Sequence, residues 1–333
     1  MLTILLSSPR VAPGLLTWQA WSGLHAASRV LAPAGHPLIP ALTAADVAPS
    51  VIDVPAAGLP AYLSSAAADD SVVWLAPQGS SAEPALLADL TVPYQMLHGS
   101  VDLPGAHLLD LVPIMDRLRV CCPWDREQTH SSLLKHLLEE AYEAAETIEL
   151  GDLAALREEI GDVMFQAFFH ARIAAERPVS EGGFTIDDVA DTLAAKLIRR
   201  HPHVFADVSV SSAADVNANW EEIKKAERAA KNAGAGAGAP SVLDGVPFGQ
   251  PALSLAAQLQ RRAARAGIAD GFPVTGPADG ADSVGDSVGA ELMALVARAS
   301  EAGVDPELEL RAAARRFADA VRERERLDGL REG

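Results

Sequence analysis

The chain has 333 residues, of which 49% are hydrophobic and 22% charged, and its formal net charge is −18. This length allows two or three domains, because a single hydrophobic core rarely grows beyond roughly 250 residues. The acidic balance argues against a protein that coats nucleic acid or an anionic membrane, since both would repel it. A phosphorylated substrate would therefore need a local basic cluster or a metal ion.

The cysteines and the first residues indicate in which cellular compartment the protein is expected. Cys121 and Cys122 are adjacent, and two cysteines are too few for a disulfide framework or a zinc site. The opening residues Met1–Leu6 lack the basic region of a signal peptide, and no stretch approaches the ~20 apolar residues of a membrane span. We therefore expect a cytoplasmic protein that has no membrane partner.

Residues 1–112 are predicted to form a small α/β domain. Short β-rich runs alternate with segments rich in alanine and leucine, which predicts a parallel sheet. The β-rich runs are Leu2–Ser7, Val51–Val54 and Val72–Leu75, and the helical segments include Leu15–Ser28 and Pro84–Leu90.

Residues 113–232 are predicted to form an all-α domain. Asp125 and Gln128 have the form of a helix N-cap and its capping partner, which places the first helix start directly after Trp124. Gly151 and Pro178 then mark helix ends. The charged, amphipathic stretches cover residues 125–150, 152–177, 185–200 and 213–232.

The remainder of the chain is predicted to be a linker, residues 233–240, and a helical C-terminal region, residues 241–333. The linker alternates glycine and alanine, a composition typical of flexible segments. Leu253–Gly267 and Gly289–Arg326 are predicted to be helical, separated by a Gly/Asp/Ser-rich loop over Ala269–Asp286.

Two carboxylate clusters are the most informative feature. Within each cluster the acids are spaced three and four residues apart, so their carboxylates share one helix face. Antiparallel helices joined at Gly151 would bring the two clusters together. The first cluster is Glu139, Glu140 and Glu143, and the second is Glu158, Glu159 and Asp162.

Such a site needs cations, and carboxylate oxygens suit Mg²⁺ or Mn²⁺ better than zinc. A di-iron carboxylate bundle expects a Glu-x-x-His motif from each of two helices. The nearby pair Glu127 and His130 lies outside both clusters, so the pattern favours a hard cation. The ordinary alternative is a solvated Glu-rich surface, but neither cluster has a lysine placed to neutralise it.

A group of basic and aromatic residues follows the acids. Lys196, Arg199 and Arg200 share one helix face, and Trp220 precedes Lys224 by one turn. Arginine and lysine bind phosphates, and a tryptophan could stack on a nucleobase. The alternative is that Trp220 fills a core and the cations cap helix ends. His201 and His203 are expected to play a structural part.

Five motifs in order resemble the MazG family of nucleoside triphosphate pyrophosphohydrolases. They run from about Leu118 to Ile268 and comprise Cys122-Pro123-Trp124-Asp125, Glu139-Glu140-x-x-Glu143, Glu158-Glu159-x-x-Asp162, Lys196-Leu197-Ile198-Arg199-Arg200-His201-Pro202-His203-Val204-Phe205 and Trp220-Glu221-Glu222-Ile223-Lys224. The resemblance implies an all-α domain, a homodimer or higher homo-oligomer, and Mg²⁺-dependent hydrolysis of nucleoside triphosphates to monophosphate and pyrophosphate.

The resemblance also implies roles for individual residues. Glu140, Glu143, Glu159 and Asp162 would bind the metal, while Glu139 and Glu158 would bind metal or orient water. In the hydrolysis itself, we expect Glu139 or Glu158 to accept the proton of the attacking water. The nucleotide would be bound by Lys196, Arg200 and Trp220, with Arg157 as a substitute for a further basic position. The basic group described above adds Arg199 and Lys224 to the predicted nucleotide-binding residues. Arg157 is included because a basic position of the family is Ala155 here.

Two further resemblances concern the ends of the chain. The tail resembles a degraded second MazG repeat in which Ser287 and Ala290 replace metal ligands and Ala320 replaces an arginine, so it should hold no metal; a trailing helix of other origin is the alternative. Residues 1–112 resemble a degenerate tetrapyrrole-methylase-like domain, without methyl transfer. The alternative function for the whole chain is a nucleotide sensor that binds without hydrolysis.

Overall fold

The computed structural model describes residues 1–79, 87–206, 210–212, 215–216, 219–220, 222–224, 226–227, 241–268 and 284–329. The chain divides into two compact units, Met1–Arg199 and Arg200–Gly333. The predicted linker over residues 233–240 lies wholly outside the described residues. The predicted helix over residues 213–232 and the loop over Ala269–Asp286 lie mostly outside them, and the predicted helix over Pro84–Leu90 lies partly outside them.

The first unit begins with a five-stranded parallel sheet, which confirms the predicted α/β region. Its strand order is β3-β2-β4-β1-β5, and every neighbouring pair is parallel. The strands are β1 (Leu2–Leu6), β2 (Arg29–Pro33), β3 (Pro49–Ile52), β4 (Val72–Leu75) and β5 (Tyr94–His98), and the helices between them are α1 (Trp18–Ala26), α2 (Ile39–Ala44) and α3 (Leu59–Ala66).

Apolar packing on both faces explains the central strands. Every residue of β1 and β4 is buried, as expected for parallel strands covered on both sides. Ile4 and Trp74 pack on one face, whereas Leu5 and Leu75 pack on the other. No separate strand was predicted at β2 or β5. For β5 the reason is that it is a largely exposed edge strand without a buried apolar run.

Helices follow from Leu111 onward, as predicted, so an all-α description applies to this part of the chain and not to the whole. They are α4 (Leu111–Cys121), α5 (Pro123–Glu127), α6 (His130–Leu150), α7 (Leu153–Ala174), α8 (Ile186–Arg200) and α9 (Pro202–Phe205).

The predicted N-cap at Asp125 is wrong. Asp125 lies inside the short helix α5 and is buried, and the long helix α6 starts later, at His130. Its N-cap is Thr129, whose hydroxyl accepts a hydrogen bond from the Ser132 amide at 3.1 Å, while the Ser132 hydroxyl accepts from the Thr129 amide at 2.9 Å. This reciprocal capping box stabilises a start at Thr129.

Helices α6 and α7 form an antiparallel hairpin with a tight joint. Gly151 ends α6 in the left-handed conformation, with φ of 71°, which glycine adopts without steric cost. Asp152 then caps α7, because its Oδ1 accepts hydrogen bonds from the amides of Ala154 and Ala155. At the other end of the hairpin, Leu133 and Phe169 are fully buried in one apolar core.

The second unit contains three longer helices in its described part, α10 (Ala252–Arg265), α11 (Val284–Glu301) and α12 (Pro306–Gly329). The predicted helical stretch Gly289–Arg326 is interrupted, because the chain turns at Gly303, where φ is 71°. Among the described residues, no helix combines the length and apolar character needed to cross a membrane.

Candidate metal centre and nucleotide-binding residues

The hairpin brings acids from α6 and α7 together. Carboxylate oxygens of Glu140, Glu159 and Asp162 all lie within 4.8 Å of one another. Glu143 belongs to the same cluster, since its side chain interacts with both Glu140 and Glu159. The four acids predicted to bind metal are thus neighbours, in an arrangement where one cation could contact carboxylates from both helices.

Burial and mutual repulsion act on this cluster. The pKa of Glu140 is raised above its ordinary value, first by burial and then by the negative charges of Asp162 and Glu143. The pKa of Glu159 is raised by burial, followed by the charges of Glu143 and Asp162. The ionised cluster is therefore unfavourable by itself, and a bound cation would offset that repulsion.

The two predicted proton acceptors lie at the rim of the cluster. Glu139 is 61% exposed and lies 3.4 Å from the Nδ1 atom of His136. Glu158 is also exposed, and its charge contributes to the raised pKa of Glu159. Both carboxylates can therefore exchange protons with solvent while they stay next to the inner acids.

Two polar residues on the hairpin helices, His136 and Gln166, belong to none of the predicted motifs. His136 precedes Glu139 by three residues, and Gln166 follows Asp162 by four. This spacing places each residue on the same helix face as the acid. Helical spacing is therefore the signal that could have identified both residues. Gln166 is buried on α7.

The predicted nucleotide-binding residues have different surroundings. Arg157 is exposed on α7, and Lys196 is half-buried on α8, where it makes no hydrogen bond or ion pair to a residue that the structure describes. Arg200 forms a bidentate ion pair with Glu227, with its shorter distance 2.7 Å. This pair raises the pKa of the Arg200 guanidinium.

Trp220 is already in contact with polar side chains. The Lys224 ammonium lies 4.8 Å from the centre of its ring, and the His201 ring lies 5.7 Å away. The Trp220 Nε1 atom is enclosed and has no hydrogen-bond partner in the described part of the chain. Stacking of Trp220 on a nucleobase stays a prediction, as do the roles of Lys224 and the exposed Arg199.

Comparison with known proteins identifies the family. The model of the MazG nucleotide pyrophosphohydrolase domain matches residues 128–205, which include all six clustered acids. A Thermotoga maritima protein named nucleoside triphosphate pyrophosphohydrolase/pyrophosphatase MazG is 38% identical over 66% of this chain and 88% of its own length. The chain belongs to the MazG family.

Other MazG relatives are matched over less of their length. A nucleoside triphosphate pyrophosphohydrolase of Mycobacterium tuberculosis is 42% identical over 63% of this chain and 60% of its own length. One from Escherichia coli K12 is 43% identical over 47% of this chain and 57% of its own length. This MazG chain therefore spans about three fifths of the length of these two relatives.

Proposed function

We propose that this chain hydrolyses nucleoside triphosphates to nucleoside monophosphate and pyrophosphate with Mg²⁺, which Mn²⁺ can replace, as a housekeeping enzyme of the nucleotide pool. The observation that carries the proposal is the approach of Glu140, Glu159 and Asp162 to within 4.8 Å across two helices. The names of the MazG relatives give the reaction class.

The donor set fits a hard divalent cation. Carboxylate oxygens are the ligands that Mg²⁺ and Mn²⁺ prefer, whereas a di-iron site of this architecture would include histidine. The group of described residues that could hold an ion consists of three carboxylates and no histidine. A bound divalent cation would lower the pKa of a coordinated water and neutralise charge on the phosphates.

The residues of the chain would bind the cation, accept a proton and bind the nucleotide. Glu140, Glu143, Glu159 and Asp162 would hold the cation, and Glu139 or Glu158 would accept the proton of the attacking water. His136, 3.4 Å from Glu139, can receive that proton next. The cations Arg157, Lys196, Arg199, Arg200 and Lys224 would bind phosphate oxygens, with Trp220 contacting the base.

We also propose that α8 associates with a second copy of the chain. Its apolar residues Val189, Leu193 and Leu197 are spaced four residues apart and form a stripe that stays exposed. No residue of α8 is buried, and amphipathic helices normally pack their apolar face against another element. Pairing of two copies through this stripe would bury the three side chains and would produce a homodimer or higher homo-oligomer.

Product analysis tests the reaction. The full chain is incubated with Mg²⁺ and a panel of ordinary and oxidised ribo- and deoxyribonucleoside triphosphates, including dTTP, and the products are separated by ion-exchange chromatography. The proposal expects equimolar monophosphate and pyrophosphate. Binding without turnover would instead support a nucleotide sensor, and diphosphate with orthophosphate would indicate a different hydrolase.

A further inference from the structure

Gln166 is a buried amide that makes no hydrogen bond to the residues the structure describes. Its side chain is 3% exposed, and its Oε1 atom is enclosed with no partner among the described residues. A buried polar group that lacks a partner costs stability, whereas an apolar side chain of the same shape would not. Packing between α6 and α7 therefore gives no reason for glutamine at this position.

The place of Gln166 on α7 links it to the acid cluster. Glu159, Asp162 and Gln166 follow one another at spacings of three and four residues, which puts them within an arc of about 60° on the helix. The next residue inward is Phe169, which is fully buried against the apolar core that contains Leu133. Gln166 thus lies at the boundary between the apolar core and the metal-binding carboxylates.

We infer that Gln166 is a positioning residue whose Nε2–H group donates a hydrogen bond to a metal-binding carboxylate of the cluster when the cation is bound. This inference rests on the proposed function. Oε1 is the enclosed atom, whereas Nε2 is not, so the donor end is the one available to the acids. Carboxylates that bind a metal are commonly fixed by such outer hydrogen bonds.

The chemistry of an amide suits this position. A lysine or arginine here would neutralise the acids and compete with the cation, but an amide donates a hydrogen bond and adds no charge.

Mn²⁺ affinity and thermal stability together test the role. In Gln166→Met, which keeps the length and removes the amide, we expect Mn²⁺ binding to weaken at least tenfold in electron paramagnetic resonance titrations of the full chain. The melting temperature of the metal-free protein should stay unchanged or rise, because the unpaired amide is gone. If Gln166 only stabilised the fold, its replacement would instead lower the melting temperature. Gln166→Leu serves as a second variant if methionine prevents folding.

Thr147→Val is the matched control. Thr147 is also buried in this hairpin, but its hydroxyl already donates to the Ala144 carbonyl at 2.9 Å, so its loss should leave Mn²⁺ affinity unchanged. Wild-type affinity in Gln166→Met, or equal losses in Gln166→Met and Thr147→Val, would overturn the role of Gln166 while leaving the metal centre intact. A wild-type chain that binds no Mn²⁺ would overturn the metal centre itself.

Discussion

Glu140 and Asp162 come from different helices, and each raises the cost of charging the cluster. Replacing either with its amide removes a ligand for the cation but changes the volume very little. We therefore expect Glu140→Gln and Asp162→Asn to lower the rate of triphosphate hydrolysis by at least a hundredfold while the circular dichroism spectrum stays that of the wild type. Glu149→Gln, on the same helix as Glu140 but outside the cluster, is the control and should retain wild-type turnover. Wild-type turnover in either cluster variant would refute the assignment.

The raised pKa of Glu140 has a consequence for stability. A carboxyl whose pKa is higher in the folded chain than in the unfolded chain destabilises the fold once it ionises. The metal-free wild type and Glu140→Gln should therefore melt at similar temperatures at pH 4, below the ordinary glutamate pKa of 4.5. At pH 7 the variant should melt at the higher temperature. Thermal melts in chelator at both pH values measure this difference, and a variant that melts lower at pH 7 would contradict the repulsion.

At the scale of elements, Arg119 ties the start of the α6–α7 hairpin to its end. Its Nη1 donates to the carbonyls of Asp125 and Gln128, and its Nε and Nη2 pair with Glu176 beyond the end of α7. The Glu176 pKa is lowered by this guanidinium. The segment that leads into α6 is thereby fixed against α7.

Removal of this guanidinium should loosen the hairpin. Hydrogen bonds to charged groups contribute about 1.5–3 kcal/mol each, but solvent screens the pair with Glu176, whose side chain is exposed. We therefore expect Arg119→Ala to lower the free energy of unfolding by about 2–3 kcal/mol in urea titrations. Arg119→Lys should recover only part of the lost free energy of unfolding. An ammonium cannot reach both the loop carbonyls and Glu176 as the planar guanidinium does. Arg126→Ala, at an exposed position of α5, is the control. If both alanine variants lowered the free energy of unfolding equally, Arg119 would have no specific role in stabilising the hairpin.

The elements also show what the sequence could and could not predict. The acids of α6 and α7 were predicted to meet because helical spacing fixes a shared face and Gly151 fixes the joint. The start of α6 was misplaced because Asp125 and Thr129 are both good caps, and only tertiary packing buries the first. Whether the Gln166 Oε1 atom finds a hydrogen-bond partner likewise depends on the residues around it in the folded chain, and helical spacing does not predict those residues.

At the scale of the whole molecule, the exposed stripe on α8 predicts self-association. Leu193→Lys places a charge in the middle of the stripe and should shift the chain toward the monomer in sedimentation velocity runs. Asp191→Lys introduces the same side chain on the opposite face of the helix and should leave the assembly unchanged. An unchanged sedimentation coefficient in Leu193→Lys would show that α8 does not pair copies.

The proposed enzyme requires acids from two helices to act as one cation site, and direct Mn²⁺ binding tests this requirement. Titrations followed by electron paramagnetic resonance should show Mn²⁺ bound by the wild type, and affinity at least tenfold lower in both Glu140→Gln on α6 and Asp162→Asn on α7. Glu149→Gln should bind as the wild type does. Equal affinity in all four proteins would contradict a shared site.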